Sequence, residues 1–137
     1  MKLFALLVIV ATSAFGFDAK KEFTTNCATC HSIGGGDTGK QGPDLAGLSE
    51  RRKIDWIVKF VKYPTGMIEG DEEEEGYEKA DALAKEVYAL YKPTMMSEQE
   101  LETDQIKAIV KYIESQSKGK EPKGKIAALH KKYAKKK

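Results

Sequence analysis

No stretch constrains this chain more than Cys27-Ala28-Thr29-Cys30-His31. Two thiols three residues apart, with an imidazole directly after them, form an attachment site for a c-type haem. On one helical turn both sulfurs reach the two vinyl groups on an edge of the porphyrin, and the histidine falls beneath the iron as its fifth ligand. A redox Cys-x-x-Cys needs a surrounding βαβ pattern, and a zinc site needs a second pair of ligands. Neither is present: the sole other histidine is His130, in a lysine-rich tail, and there are no further cysteines. A chain with this motif must fold around a large flat apolar group.

At 137 residues the chain fits one domain. Residues 1–16 read as a signal peptide: Lys2 gives a positive start, Leu3 to Val10 an apolar run, and Ala14-Phe15-Gly16 a small-x-small cleavage site. Cleavage is expected after Gly16, with a cut after Ala14 as the alternative. An uncleaved anchor would be short for a membrane span, and no cysteine stands near the cleavage site to carry a lipid. The mature chain is therefore expected in the periplasm, without a transmembrane segment. Thioether bonds would use both cysteines, so no disulfide would remain. A body of about a hundred residues has a limited core of its own, so the apo-protein is expected to fold poorly.

The pattern is helical throughout, with no useful β-alternation. Asp18 is a candidate N-cap for a helix running to His31, with Phe23, Cys27 and Cys30 on its buried stripe. Residues 32–48, rich in glycine and carrying Pro43, read as an irregular loop. A second helix from about Ser49 has Ile54, Ile57, Val58 and Val61 on one face and ends before Pro64. An acidic run leads to a third helix bearing Ala80, Leu83, Ala84 and Val87 on one face. It continues to Leu90 and Tyr91 before Pro93. Residues 92–101 form a loop with Met95 and Met96, and a fourth helix, about Thr103 to Gln116, buries Ile106, Ile109, Val110 and Ile113. The expected organisation is an all-α haem domain over residues 17–117 and a basic extension over 118–137, in which Ile126, Leu129 and Tyr133 fall on one side of a short helix.

This order of elements resembles the class I cytochrome c family. The resemblance is carried by Phe23 ahead of Cys27-x-x-Cys30-His31, by Gly42-Pro43-Asp44-Leu45, and by Met96 followed by Leu101 and the Ile109-Val110-Lys111-Tyr112-Ile113 helix. It covers roughly residues 18–116 and implies one covalent haem c with its iron. It also implies that the Pro43 carbonyl orients His31 from behind, and that a methionine is the sixth iron ligand. Met96 is preferred over Met95 because Leu101 follows it at the family's usual offset; Ser97 stands where relatives often have proline. Met67 ranks behind both. Trp56 is expected either to pack on the haem edge with its indole N–H toward a propionate, or to serve as ordinary core.

Gly34-Gly35-Gly36-Asp37-Thr38-Gly39-Lys40 imitates a phosphate loop. Gln41 stands where a magnesium-binding hydroxyl is required, and the stretch follows a helix instead of a strand. A flexible loop at the haem edge fits better than nucleotide binding.

Charge is polarised. Residues 17–117 hold thirteen basic residues and twenty acids, a net of −7, and seven of those acids lie between Glu69 and Glu78; residues 118–137 carry +8. Such patches are often solvated surface, but they also steer a protein toward charged redox partners. The tail could instead fold back on the acidic segment or touch an anionic membrane; nucleic acid is not an expected partner. His130, among lysines, reads as a surface residue. No acid, base or nucleophile constellation is visible, so the chain is not read as an enzyme. The expected function is single-electron transfer through a His31/Met96-ligated iron, by a monomer or a subunit of a redox complex. Two alternatives stay open: a haem subunit of a larger oxidoreductase, or a ligand-binding or peroxidatic haem protein.

Overall fold

A computed structural model describes residues 16–134, so the expected signal peptide lies outside the described residues apart from Gly16. Among them the architecture is all-α, with no strand. Asp18 caps α1 (Ala19–Glu22), its carboxylate accepting the Lys21 N–H at 3.0 Å. The helix widens into a π-turn over Phe23–Cys27 and ends there. The Cys30 and His31 N–H groups both return to the Cys27 carbonyl, at 3.1 and 3.0 Å.

The helix expected from Ser49 is two helices, α2 (Leu48–Arg51) and α3 (Ile54–Lys62), separated by an extended Arg52 and Lys53. Extension at Arg52 puts its guanidinium 4.9 Å from the Trp56 ring. Pro64 ends α3 and immediately opens α4 (Pro64–Glu69), which the sequence reading did not anticipate. A proline at the first helical position loses no internal bond and already has the helical φ, so one residue both stops and starts a helix. Then come α5 (Ala82–Tyr91), capped by Asp81, α6 (Thr103–Ser117), opened by a reciprocal Glu102–Gln105 capping box, and α7 (Ile126–Ala134).

Packing follows the apolar periodicity. Phe23 meets Ile109 and Ile113 where the N-terminal helix contacts α6, with Tyr112 tilted against Phe23 at 5.5 Å. Ile57 of α3 packs on Ile106 and Val110, while Met67 and Ile68 of α4 pack on Ala84 of α5. All four apolar positions expected on the buried side of α6 are buried, each contributing about 1.5–3 kcal/mol.

The glycine-rich loop is tied down, contrary to the flexibility expected of it. Asp44, fully buried, accepts the N–H groups of Gly34, Gly36, Ala46 and Lys123 at 2.7–3.2 Å. The glycine amides that imitate a phosphate loop are thus aimed at an anion belonging to the chain itself. Burial alone would raise the Asp44 pKa, but these four N–H donors hold it below the usual carboxylate range.

The extension folds back on α2 and α5. Ile126 is almost wholly buried, and Tyr133 and Lys132 both reach Glu86, at 2.9 and 3.1 Å. His130 is also buried, which corrects its reading as a surface residue. Gly47, at φ +64°, makes the seat: a Cβ there would stand 2.8 Å from the imidazole Cε1.

Candidate functional site

The helices enclose an apolar cavity of about 310 Å³, a size common for cofactor sites. Its wall includes all six residues singled out from sequence: Cys27, Cys30, His31, Pro43, Trp56 and Met96.

His31 is fixed from behind. Its Nδ1 lies 2.8 Å from the Pro43 carbonyl, so that nitrogen carries the proton and donates, leaving the Nε2 lone pair free to ligate. The imidazole rests on Gly42, where a Cβ would come 2.5 Å from its Cε1, so the close approach requires glycine. Two backbone bonds lock this loop to the motif: Gly42 N–H to the Cys30 carbonyl at 2.9 Å, and Leu45 N–H to that of Ser32 at 2.8 Å. Burial lowers the His31 pKa against the opposing Pro43 bond, with Lys40 and Arg51 adding to the lowering, so the ring is held neutral as a ligand must be.

Cys27 and Cys30 are unpaired thiols. Burial, then Glu22 and Cys30, pushes the Cys27 pKa up to about 11. A redox Cys-x-x-Cys has its thiol pKa lowered, so this environment runs opposite to dithiol chemistry.

Both adjacent methionines line the cavity, each half-buried. Met95 packs on the Met67–Ile68–Ala84 cluster, and its sulfur accepts the Thr65 hydroxyl at 3.1 Å. Met67 is itself buried core. Trp56 stacks on Phe60, with ring centroids 5.1 Å apart, and its indole N–H donates to Asp81 at 3.0 Å. That donor is therefore engaged inside the chain, by the residue that caps α5.

Sequence reasoning missed the arginine pair. Arg51 and Arg52 are each 6% exposed and both line the cavity. Arg51 donates to the carbonyls of Ala46 and Asp44, both at 2.7 Å; Arg52 donates to the Arg51 carbonyl at 2.8 Å, while its buried Nη2 has no hydrogen-bond partner. Adjacent charges between helices look like solvated surface; the available signal was an arginine four residues ahead of the chain's one tryptophan.

The donor set suits a c-type haem: two thiols and a neutral oriented imidazole in one motif, a thioether in the same cavity, apolar walls, and an unspent buried cationic donor for a carboxylate. The comparisons agree. A family model described as Cytochrome c matches residues 18–117. Among solved structures, cytochrome c from Rhodothermus marinus is similar at 25% identity and a TM-score of 0.58, over 74% of this chain and 76% of that one. An engineered form of it, Rma TDE, gives 25% and 0.56 over 73% and 75%. The cytochrome c domain of a Pseudomonas putida protein, at 24% identity and 0.55 over 74% and 89%, shares the fold. A comparison with curated protein sequences found no match.

Proposed function

Because the chain belongs to the cytochrome c family, whose members carry covalently attached haem c and its iron, we propose that it is a monohaem single-electron carrier of the periplasm with His31 and Met96 as axial ligands. Bound haem supplies a one-electron ferric–ferrous couple. In this reading Cys27 and Cys30 would hold the haem through thioether bonds. His31 offers Nε2 to the iron, and the Pro43 carbonyl fixes the tautomer and increases the basicity of the ring. Met96 offers a soft thioether, which favours the ferrous state and raises the potential. The apolar wall excludes water.

One observation carries this reading: the 2.8 Å His31–Pro43 bond, on a ring seated against Gly42, orients a neutral ligand in a cavity that also contains a methionine pair. The Thr65 bond and the packing of Met95 support a structural role for that residue, leaving Met96 for the iron. With His31 and Met96 both holding the iron, no position would be left open to exogenous molecules, which favours electron transfer over oxygen chemistry. Glu72, Glu73, Glu74 and Glu75 stand exposed beyond α4 and offer a docking surface to a cationic redox partner. Among the described residues no helix is long and apolar enough to cross a membrane.

Carbon monoxide tests the closed iron. The reduced native protein should leave its spectrum unchanged under carbon monoxide; ready binding would refute the two-ligand reading and favour a ligand-binding or peroxidatic role.

A further inference from the structure

Arg52 has an unusual setting. Its guanidinium lies between two aromatic rings, 4.9 Å from Trp56 on one element and 4.8 Å from Tyr133 of α7 on another. One of its nitrogens is buried and unpartnered at the cavity wall. Arg51 beside it is fixed by two carbonyls, and its Nη1 also lies 3.4 Å from His130 Nδ1 of α7. Two adjacent buried cations are costly unless an anion meets them. The nearby carboxylates are otherwise engaged: Asp44 by four backbone N–H groups, Glu50 and Glu121 by His130, 3.6 and 3.5 Å from its Nε2, and the two whose charges reach Arg52, Asp81 by the Trp56 indole and the Ala84 N–H and Glu86 by Lys132 and the Tyr133 hydroxyl. A haem brings its own carboxylates as propionates.

Residues 18–117 match the family, and α7 lies wholly beyond them. This segment is nonetheless built into the site. Ile126 forms part of the cavity wall. The N–H groups of Lys123 and Lys125 end on Asp44 and Asp37 at 3.2 and 2.9 Å. Glu86 receives the Tyr133 hydroxyl, and Gly47 lacks the atom that would exclude His130.

We propose that the C-terminal helix is a working part of the haem site: Tyr133 and His130 are positioning residues that hold Arg52 and Arg51 in the dry cavity wall against the haem's carboxylates, and thereby set the iron's reduction potential. The proposal rests on haem attachment alone, and not on which group is the sixth ligand or on the carrier role. Its physics is direct. A buried positive charge disfavours the more positive ferric iron and offsets the carboxylates that favour it. Water screens such a charge once its cover is removed. Removing the ring over Arg52 therefore stabilises the ferric form.

The test is the reduction potential at neutral pH of haem-loaded, full-length protein, with far-UV circular dichroism as the fold control. Arg52→Gln should shift the ferric-to-ferrous balance about tenfold toward ferric, a fall of about 59 mV for one electron. Tyr133→Ala and His130→Ala should shift it several-fold in the same direction. Tyr133→Phe keeps the ring and should retain the wild-type potential. If Tyr133→Ala does not fold, Tyr133→Leu replaces it, keeping bulk without an aromatic face. An unchanged potential in Arg52→Gln overturns the role of the arginines. A wild-type potential in Tyr133→Ala or Tyr133→Leu, or a Tyr133→Phe shift as large as theirs, overturns the role of the helix. A protein that binds carbon monoxide yet shows the predicted potentials would refute the carrier reading and leave this one standing.

Discussion

Replacing Asp44 with asparagine should cost the fold about 3–6 kcal/mol, because the carboxylate is an internal anion with no spare capacity. One oxygen accepts from Gly34 and Ala46, at 2.7 and 2.9 Å, and the other from Gly36 and Lys123, at 2.8 and 3.2 Å. An amide can replace only one of these oxygens, and it turns N–H groups toward the two donors it abandons. Hydrogen bonds to a charged group are worth about 1.5–3 kcal/mol each, so two lost bonds give the stated range. That is a large fraction of the 5–15 kcal/mol of a typical domain. The pH dependence is a second signature. The native Asp44 pKa is held below its usual value, so its stabilisation is fully present above about pH 3.9 and disappears as pH falls through the lowered native value. The gap between wild type and Asp44→Asn should therefore narrow in acid. Urea unfolding of the haem-loaded proteins, followed by circular dichroism at pH 7 and at pH 3, measures both effects. A loss under about 1 kcal/mol at pH 7, or a gap independent of pH, would refute the reasoning, since exposed polar substitutions cost no more than that.

The remaining predictions concern the seat of His31, the docked helix and the acidic run. Gly42→Ala should displace the imidazole, because the new Cβ would stand 2.5 Å from its Cε1; the expected result is a partly high-spin spectrum and a lowered Tm, checked by absorption and thermal melts. His130 has its native pKa lowered, chiefly by burial and by Arg51, against the opposing pull of Glu121 and Glu50. Docking of α7 should therefore be strongest above about pH 6.5 and weaken as pH falls through the lowered native value, seen as faster amide exchange in α7 at acidic pH. Changing Glu72, Glu73, Glu74 and Glu75 to glutamine should slow reduction by a cationic donor at low ionic strength, and the difference should vanish in 1 M salt, where screening is complete within about 3 Å.

What could be read from sequence was local. The haem motif carries its meaning in five consecutive residues, and α6 shows its buried face in the spacing of Ile106, Ile109, Val110 and Ile113. The Pro43 contact was likewise expected, from family likeness, and lies at 2.8 Å. What could not be read depends on partners distant in the chain. His130 sits in a lysine-rich stretch, yet Arg51 and Glu50, which make its burial tolerable, come from α2. The glycine loop announces a ring of N–H donors without naming their anion, and Asp44 supplies it from the following turn. Trp56 shows a partly buried donor but not its acceptor: Asp81, the cap of α5, lies 25 positions away. Pro64 reads as a stop because a proline that ends one helix and a proline that opens the next look alike in sequence; only the turn that follows, Pro64–Glu69, tells them apart.

The most direct measurement of the proposed function is optical and magnetic spectroscopy of the haem-loaded protein beside its Met96→Ala and Met95→Ala variants. A carrier closed by His31 and Met96 should lose its low-spin His–Met signature in Met96→Ala and bind carbon monoxide when reduced. Met95→Ala, which removes a cavity wall and the acceptor of the Thr65 hydroxyl, should keep the signature with reduced stability. A Met96→Ala protein that retains the low-spin His–Met signature would contradict the ligand assignment and, with it, the reason for reading this site as one that passes electrons and binds nothing.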